Sequence, residues 1–298
     1  MNILEYYESR KKLVDDAVLK TLKEEELEDF ETPKSGKRLR GVLVLLICEA
    51  LGGKTEDALP GAVAVELAHS ASLDVDDIVD LDLIRRGKLA EWVRKGIAKT
   101  VLGSHALVAT AMDIVRRHYG VDMLDMIVDA YKRMVKGEML DIKFSTMYEA
   151  IISAKTATLY GASASLGAIA SKKRELKDTA YHYGLYTGMA FQIADDIVDT
   201  IKIIEELDLK KLLEPSVSAF IAFLGLETVL RNPLNILRGV KGTEEYAKEI
   251  AMKKLDEYIN KAQVYANQLP AVNEEYRKLL NDYPTLAVTL MLKEGGLK

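Results

Sequence analysis

The sequence has one cysteine, one tryptophan and only four histidines in 298 residues. Cys48 has no partner within the chain, so no internal disulfide is expected and a reducing, cytoplasmic setting fits. His69, His105, His118 and His182 are dispersed, which leaves no imidazole and thiolate cluster of the kind zinc takes. Positive charge is not massed either: the net charge is -5 and the basic residues are scattered, which argues against a nucleic-acid partner. Long apolar runs are also missing. The densest, VLVLLIC at Val42 to Cys48, is far too short to span a bilayer, and MNILEYYESRKKLVDD lacks the layout of a secretory signal. No integral membrane segment is expected.

Proline is equally scarce. Six occur, and none falls between Pro60 and Pro215, an interval rich in Ala, Leu, Met, Lys and Glu. That interval reads as consecutive helices. Near the other end, Ile250, Leu255, Ile259, Ala262 and Ala266 recur at three- to five-residue steps among charged residues, one buried stripe on a solvated helix. Breaks are expected at ETPKSG (Glu31 to Gly36), LGGKTED (Leu51 to Asp57), RRGK (Arg85 to Lys88), HYG (His118 to Gly120), EPS, RNP and VKGTEE. No linker is long enough to separate domains. The expectation is all-α: one domain over residues 1–298, a bundle of roughly ten or more helices around a central cavity.

What the chain does have is paired acid. LDVDDIVDLDLIRRGK, Leu73 to Lys88, carries Asp74, Asp76, Asp77, Asp80 and Asp82, then Arg85, Arg86 and Lys88. On a helix Asp76 and Asp80 share a face, and Asp77 sits about 100° round from Asp76. Such placement is repulsive, so a cation should offset it. A single run also reads as a solvated face. The second DDIVD, Asp195 to Asp199, follows Met189, Ala190, Phe191, Ile193 and Ala194, which suits the lip of a cavity better than open surface. Two carboxylate clusters on facing helices would hold Mg²⁺, which prefers oxygen, keeps several waters and commonly bridges to substrate phosphates.

Basic residues extend the pattern. SGKRLRG, Ser35 to Gly41, puts Lys37, Arg38 and Arg40 where a helix begins, a favourable place for an anion. Each basic run alone also reads as a solvated helix end. Together with the carboxylates, inside an apolar bundle, they point to a diphosphate with a hydrophobic tail.

Five blocks in order give a specific resemblance: GKRLRG (Gly36 to Gly41), ELAHSASLDVDDIVDLDLIRRGK (Glu66 to Lys88), KGEMLD (Lys136 to Asp141), KTATLYGASASLGA (Lys155 to Ala168) and FQIADDIVD (Phe191 to Asp199). From about residue 30 to 200 the chain resembles the trans-type isoprenyl (polyprenyl) diphosphate synthases, of the archaeal or bacterial geranylgeranyl and geranylfarnesyl kind. The resemblance implies a Mg²⁺-dependent condensation of isopentenyl diphosphate with an allylic diphosphate, in a homodimer.

By that resemblance Asp76, Asp80 and Asp195 are the main ligands of about three Mg²⁺ ions, with Asp77, Asp196 and Asp199 in supporting or water-mediated roles. Arg85 and Lys155 grip the allylic diphosphate. Lys37, Arg40, His69 and Arg86 bind the diphosphate of isopentenyl diphosphate, and Thr156 and Gln192 lie near the reacting carbons. No protein nucleophile is needed, in keeping with the lack of a Ser/His/Asp or Cys/His set. The chain departs from the pattern after Asp199, where TIKIIEELDLKKLLEPS is shorter than usual and Lys202 or Lys210 replaces the customary lysine. Gly41 and Leu89 stand where proline is common, and Val75 where a polar residue is common.

Stepping back from Asp76 by helical turns of about 5.4 Å meets Ser72, Ala68 or His69, then Val65. Family members that stop early carry an aromatic residue at the positions held here by Ala71 and Ser72. Products of C20 to C30 are therefore expected, with Val65 or the helix around Ser104 to Met112 as floor. Ala and Ser here also read simply as close-packing residues. Three rivals stand beside this reading. A di-iron bundle would need two Glu-x-x-His motifs, and only Glu66 to His69 provides one. A terpene cyclase would not need the second diphosphate pocket. A non-catalytic prenyl-binding subunit would not need both acidic motifs.

Overall fold

The computed structural model describes residues 1–141, 147–206, 220 and 243–296. Helices carry nearly all of it: α1 (Ile3–Glu24), α2 (Leu39–Ala50), α3 (Thr55–Val79), α4 (Glu91–Lys95), α5 (Ile97–Tyr119), α6 (Val121–Asp141), α7 (Tyr148–Ile152), α8 (Thr158–Ala170), α9 (Lys177–Glu206), α10 (Thr243–Gln268) and α11 (Glu274–Glu294). The fold is all-α, as expected.

Local chemistry explains the boundaries. Asn2 caps α1 in a reciprocal box with Glu5, satisfying backbone donors that a helix start leaves open. Pro33 opens a 3₁₀ turn at Thr32–Lys34, within the expected break. Gly120, at φ 84°, separates α5 from α6. Pro60 lies in the second turn of α3, where few helical hydrogen bonds are lost. The breaks expected at EPS, RNP and VKGTEE fall largely outside the described residues.

Every residue of α2 is buried, Arg40 and Glu49 among otherwise apolar neighbours, so this helix is the axis of the bundle. Leu43, Leu45, Leu46 and Ile47 are fully enclosed, each worth about 1.5–3 kcal/mol of burial. α8 is almost as deeply buried and packs against α2, α3, α6 and α9. Its contact with α9 is close enough that a Cβ on Gly184 would come within 2.2 Å of the Tyr160 carbonyl oxygen. Both DDIVD helices, α3 and α9, therefore lean on one buried rod.

One departure from a purely helical reading follows α3. Ile84–Arg85 pairs antiparallel with Lys88–Leu89 as a two-stranded hairpin, β1 and β2. Its turn residues, Arg86 at φ 52° and Gly87 at φ 74°, take the left-handed conformations that tight hairpin turns require. Strands of two residues have no period to detect, so only the break at RRGK is legible in the sequence.

Candidate active site

The first acidic cluster occupies the last turn of α3, with Asp80 as its C-cap. Carboxylates there face the negative end of the helix dipole, which adds to their mutual repulsion. Asp77 is buried and accepts from Arg85 Nε at 2.7 Å and from Arg85 Nη2. Its Oδ2 is buried with no hydrogen-bond partner, as is Oδ2 of Asp74, whose Oδ1 accepts from the Thr32 hydroxyl. Asp76 receives no hydrogen bond from a described side chain. Burial, reinforced by the charge of Glu138, pushes its carboxyl up to about 7, while Lys155 pulls the other way. Asp80 is exposed at the helix end. Lys155 Nζ lies 2.9 Å from the Glu138 carboxylate.

The second cluster lies within α9 rather than at its end. Thr156 donates to Gln192 Oε1 at 2.6 Å, and Gln192 Nε2 donates to Asp195 Oδ2 at 3.2 Å and Asp196 Oδ1 at 3.1 Å. The Tyr148 hydroxyl also donates to Asp196. Burial raises both carboxyls, Asp195 to about 6 with repulsion from Asp199 added, and Asp196 further with repulsion from Asp195. Lys155 and Thr156 are presented by a π-helical turn, Ser153–Ala157, between α7 and α8. Such turns recur at functional sites. Gly137 of α6 lets this turn approach: a Cβ there would lie 2.5 Å from Lys155 N.

Four of the basic residues share one cleft. Lys37, Arg40, His69 and Arg86 line one cleft, with Arg38, Leu39, Glu66 and Phe191. Arg40 stacks its guanidinium 4.4 Å from the Tyr160 ring centroid, and its Nε is buried without a partner, a donor lacking an acceptor. Arg86 donates to the backbone carbonyls of Ser35 and Thr32. His69 is held well below the usual imidazole range, by burial and then by Arg40, Arg86 and other nearby guanidinium charges, so it is neutral at pH 7 and has only a hydrogen bond, not a charge, to offer an anion. Arg38 is committed to structure: Nε to Asp15 at 2.7 Å, Nη2 to the Pro33 carbonyl at 2.6 Å and Nη1 to Glu66 at 3.5 Å. The start of α2 does bind an anion, but it is the chain's own: the Gly41 amide donates to Glu66 Oε1 at 2.8 Å.

The residues proposed as a floor are also near one another. Val65, Ala68 and Ala71 are buried in one apolar cluster with Leu107 and Ala111 of α5. Ser72, half-buried, donates to the His69 carbonyl at 2.8 Å. Lys202 and Lys210 lie outside the described residues as far as their side chains are concerned. Sequence reasoning passes over Tyr148 and the carboxylates of Glu66 and Glu138. Glu66 and Glu138 stand inside quoted motifs, but nothing in the sequence marks Tyr148, whose role comes from the fold alone.

The donor set suits a hard cation. It is all carboxylate oxygen, and Asp76 and Asp195 are unfavourable as anions where they lie unless positive charge joins them. Among the described residues no three Asp, Glu, His or Cys converge to hold a metal unaided. A cation here would complete its shell with water and substrate oxygen, the habit of Mg²⁺.

Comparison with known proteins agrees with this geometry. The polyprenyl synthetase family model matches residues 26–212. Hexaprenyl pyrophosphate synthase of Saccharolobus solfataricus is 37% identical over 214 residues, covering 70% of this chain and 76% of that one. Geranylgeranyl diphosphate synthase of Methanosarcina mazei is 32% identical over 218 residues, covering 67% of each. The solved geranylgeranyl pyrophosphate synthetase of Geoglobus acetivorans superposes with a TM-score of 0.77 at 27% identity, over 95% of this chain and 99% of that one. The chain belongs to the polyprenyl synthetase family of prenyl-transferring enzymes.

Proposed function

We propose that this enzyme joins isopentenyl diphosphate to an allylic diphosphate and releases a trans-polyprenyl diphosphate of C20 to C30. The observation that carries this reading is the cleft in which Lys37, Arg40, His69 and Arg86 meet, a second anion pocket beside the acidic clusters. A terpene cyclase has no use for such a pocket, and a non-catalytic subunit has no use for two intact DDIVD clusters.

In this reading Arg85 and Lys155 bind the allylic diphosphate, which requires each to exchange a carboxylate partner, Asp77 or Glu138, for phosphate oxygen. About three Mg²⁺ ions, held by Asp76, Asp80 and Asp195 with Asp196 and Asp199 in support, would stabilise the negative charge of the leaving pyrophosphate. Tyr148 and Gln192 orient Asp196, and Gln192 orients Asp195. Lys37, Arg40, His69 and Arg86 hold isopentenyl diphosphate with its alkene toward the allylic carbon. The allylic C–O bond breaks, the alkene π electrons form the new C–C bond, and a proton lost from the adjacent carbon restores a double bond. The departing pyrophosphate accepts that proton. Thr156 and Gln192, joined by a 2.6 Å hydrogen bond, lie beside the reacting carbons, and the apolar wall of the bundle excludes water from the cation.

The product range rests on small side chains at Ala71, Ser72 and Ala68 above Val65, and relatives of this chain are named for hexaprenyl and geranylgeranyl products. Ala71→Phe should shorten the product by one or more C5 units, and an unchanged product would remove the floor from α3. A homodimer belongs to this reading through the family resemblance, and sedimentation would test it. Cytoplasmic residence fits the buried free thiol of Cys48, and no described helix is long and apolar enough to cross a membrane. The deciding experiment incubates the pure protein with Mg²⁺, labelled isopentenyl diphosphate and primers of C5 to C20, with and without a chelator. Metal-dependent chain growth supports the reading, and a cyclic hydrocarbon or no turnover refutes it.

A further inference from the structure

One lysine of the cationic cleft is already paired with an anion from far along the chain. Lys37 is ion-paired with Glu294 in the last turn of α11, and its Nζ lies 3.4 Å from Met291 Sδ, about one turn earlier on the same helix. The end of α11 is seated firmly, since a Cβ on Gly295 would come within 2.3 Å of Val198 Cγ1 in the second acidic motif. The Glu294 charge also acts, weakly, on Arg86 and Asp195.

We propose that Glu294 is a built-in competitor for Lys37, a carboxylate that isopentenyl diphosphate must displace and that thereby sets the enzyme's affinity for that substrate. The proposal rests on the reading of Lys37 as a diphosphate ligand. Glu66 lines the cleft and Glu294 pairs with its Lys37, and the two carboxylates differ in how they are held. Glu66 is buried and fixed by the Gly41 amide and Arg38, so it cannot leave. The Glu294 side chain is 53% exposed and can swing into water at little cost. An incoming diphosphate offers Lys37 more negative charge than one carboxylate does, and the released Glu294 is then a like charge best turned outward. An ion pair this exposed is worth a factor of roughly 2–5 in an equilibrium.

Glu294→Gln keeps the shape and removes the charge. With primer saturating, its KM for isopentenyl diphosphate should fall about 2–5-fold, with kcat and the primer KM unchanged, and the gain should shrink at high salt as screening weakens the competing pair. Titration calorimetry with inorganic pyrophosphate in the presence of a chelator should show the variant binding tighter by the same factor, and this measurement needs no turnover. Equal or weaker binding of pyrophosphate by the variant, or an unchanged or raised KM, overturns the proposal. A wild-type protein that fails to elongate any primer refutes the elongation reading instead, and the calorimetry still decides the competition at Lys37.

Discussion

Asp76 to Asp80 closes a helix, whereas the identical pentapeptide at Asp195 to Asp199 lies inside one, and their anchors differ in kind. In each copy the middle aspartate is tied down: Asp77 by a guanidinium, Asp196 by a phenol and an amide. The first copy is thus partly neutralised by Arg85 before any ligand arrives. Neutral donors alone anchor the middle aspartate of the second, although burial raises the carboxyls in both copies, Asp76 and Asp77 as well as Asp195 and Asp196. Equal sequence here means neither equal helical setting nor equal anchors.

The largest effect is expected from removing an outer carboxylate from each copy. Asp76→Asn and Asp195→Asn should each lower kcat by on the order of 10²–10³-fold or more, the scale of losing one preorganised charge contact at a transition state. Steady-state assays in saturating Mg²⁺ check this. If one variant stays near wild type, that copy is scaffolding. The anchors are expected to separate next, in stability rather than rate. Arg85→Ala leaves the buried Asp77 without its counter-charge and should cost about 2–4 kcal/mol, below the range for wholly buried pairs because Arg85 is 28% exposed. Tyr148→Phe removes a neutral donor and should cost about 1–2 kcal/mol. Urea unfolding of both variants decides it, and the reverse order would show that the phenol is the main support.

A smaller effect appears with pH in metal-free protein. Asp74 and Asp76 titrate near 7 when folded, against about 3.9 in an unfolded chain. The folded form binds more protons between those values, so this contribution grows as pH falls through 7 and is lost as pH rises through it. His69, depressed below its ordinary value, opposes the trend only below about 6.5. Going from pH 8 to pH 6.5 should therefore stabilise the metal-free protein by about 1 kcal/mol once screening is allowed for, or about 2–4 °C in Tm. Scanning calorimetry measures it, and Mg²⁺ with pyrophosphate should shrink the difference by keeping Asp76 ionised. A rise of the same size with metal present would mean that Asp76 meets no cation.

Much of this site is legible in the sequence because its residues sit in short, dense motifs. The paired aspartates, the basic run at Lys37 to Arg40 and the Lys155, Thr156 and Gln192 positions all stand out, and the helical reading follows from sparse proline and helical spacing. Other features depend on distance through the fold. Tyr148 reaches Asp196 across 48 residues, and Lys37 meets Glu294 at the far end of α11, pairings that no local spacing encodes. The π turn under Lys155 is hidden for another reason: α8, which follows it, is buried almost all round and has no one-sided apolar stripe in which a one-residue slip would show. The basic run reads as an anion site at a helix start, but a glutamate 25 positions on takes that amide.

The hairpin after α3 makes neighbours of two residues with separate duties. Arg85 turns to Asp77 while Arg86 turns to the carbonyls of Thr32 and Ser35, and their Cα atoms are about 3.8 Å apart along one peptide unit. In the roles proposed, one arginine steadies the electrophile and the other the nucleophile, so a single rigid link gauges the gap across which the two must react. In those roles, shifting that link would disturb both partners at once, through the backbone the two side chains share.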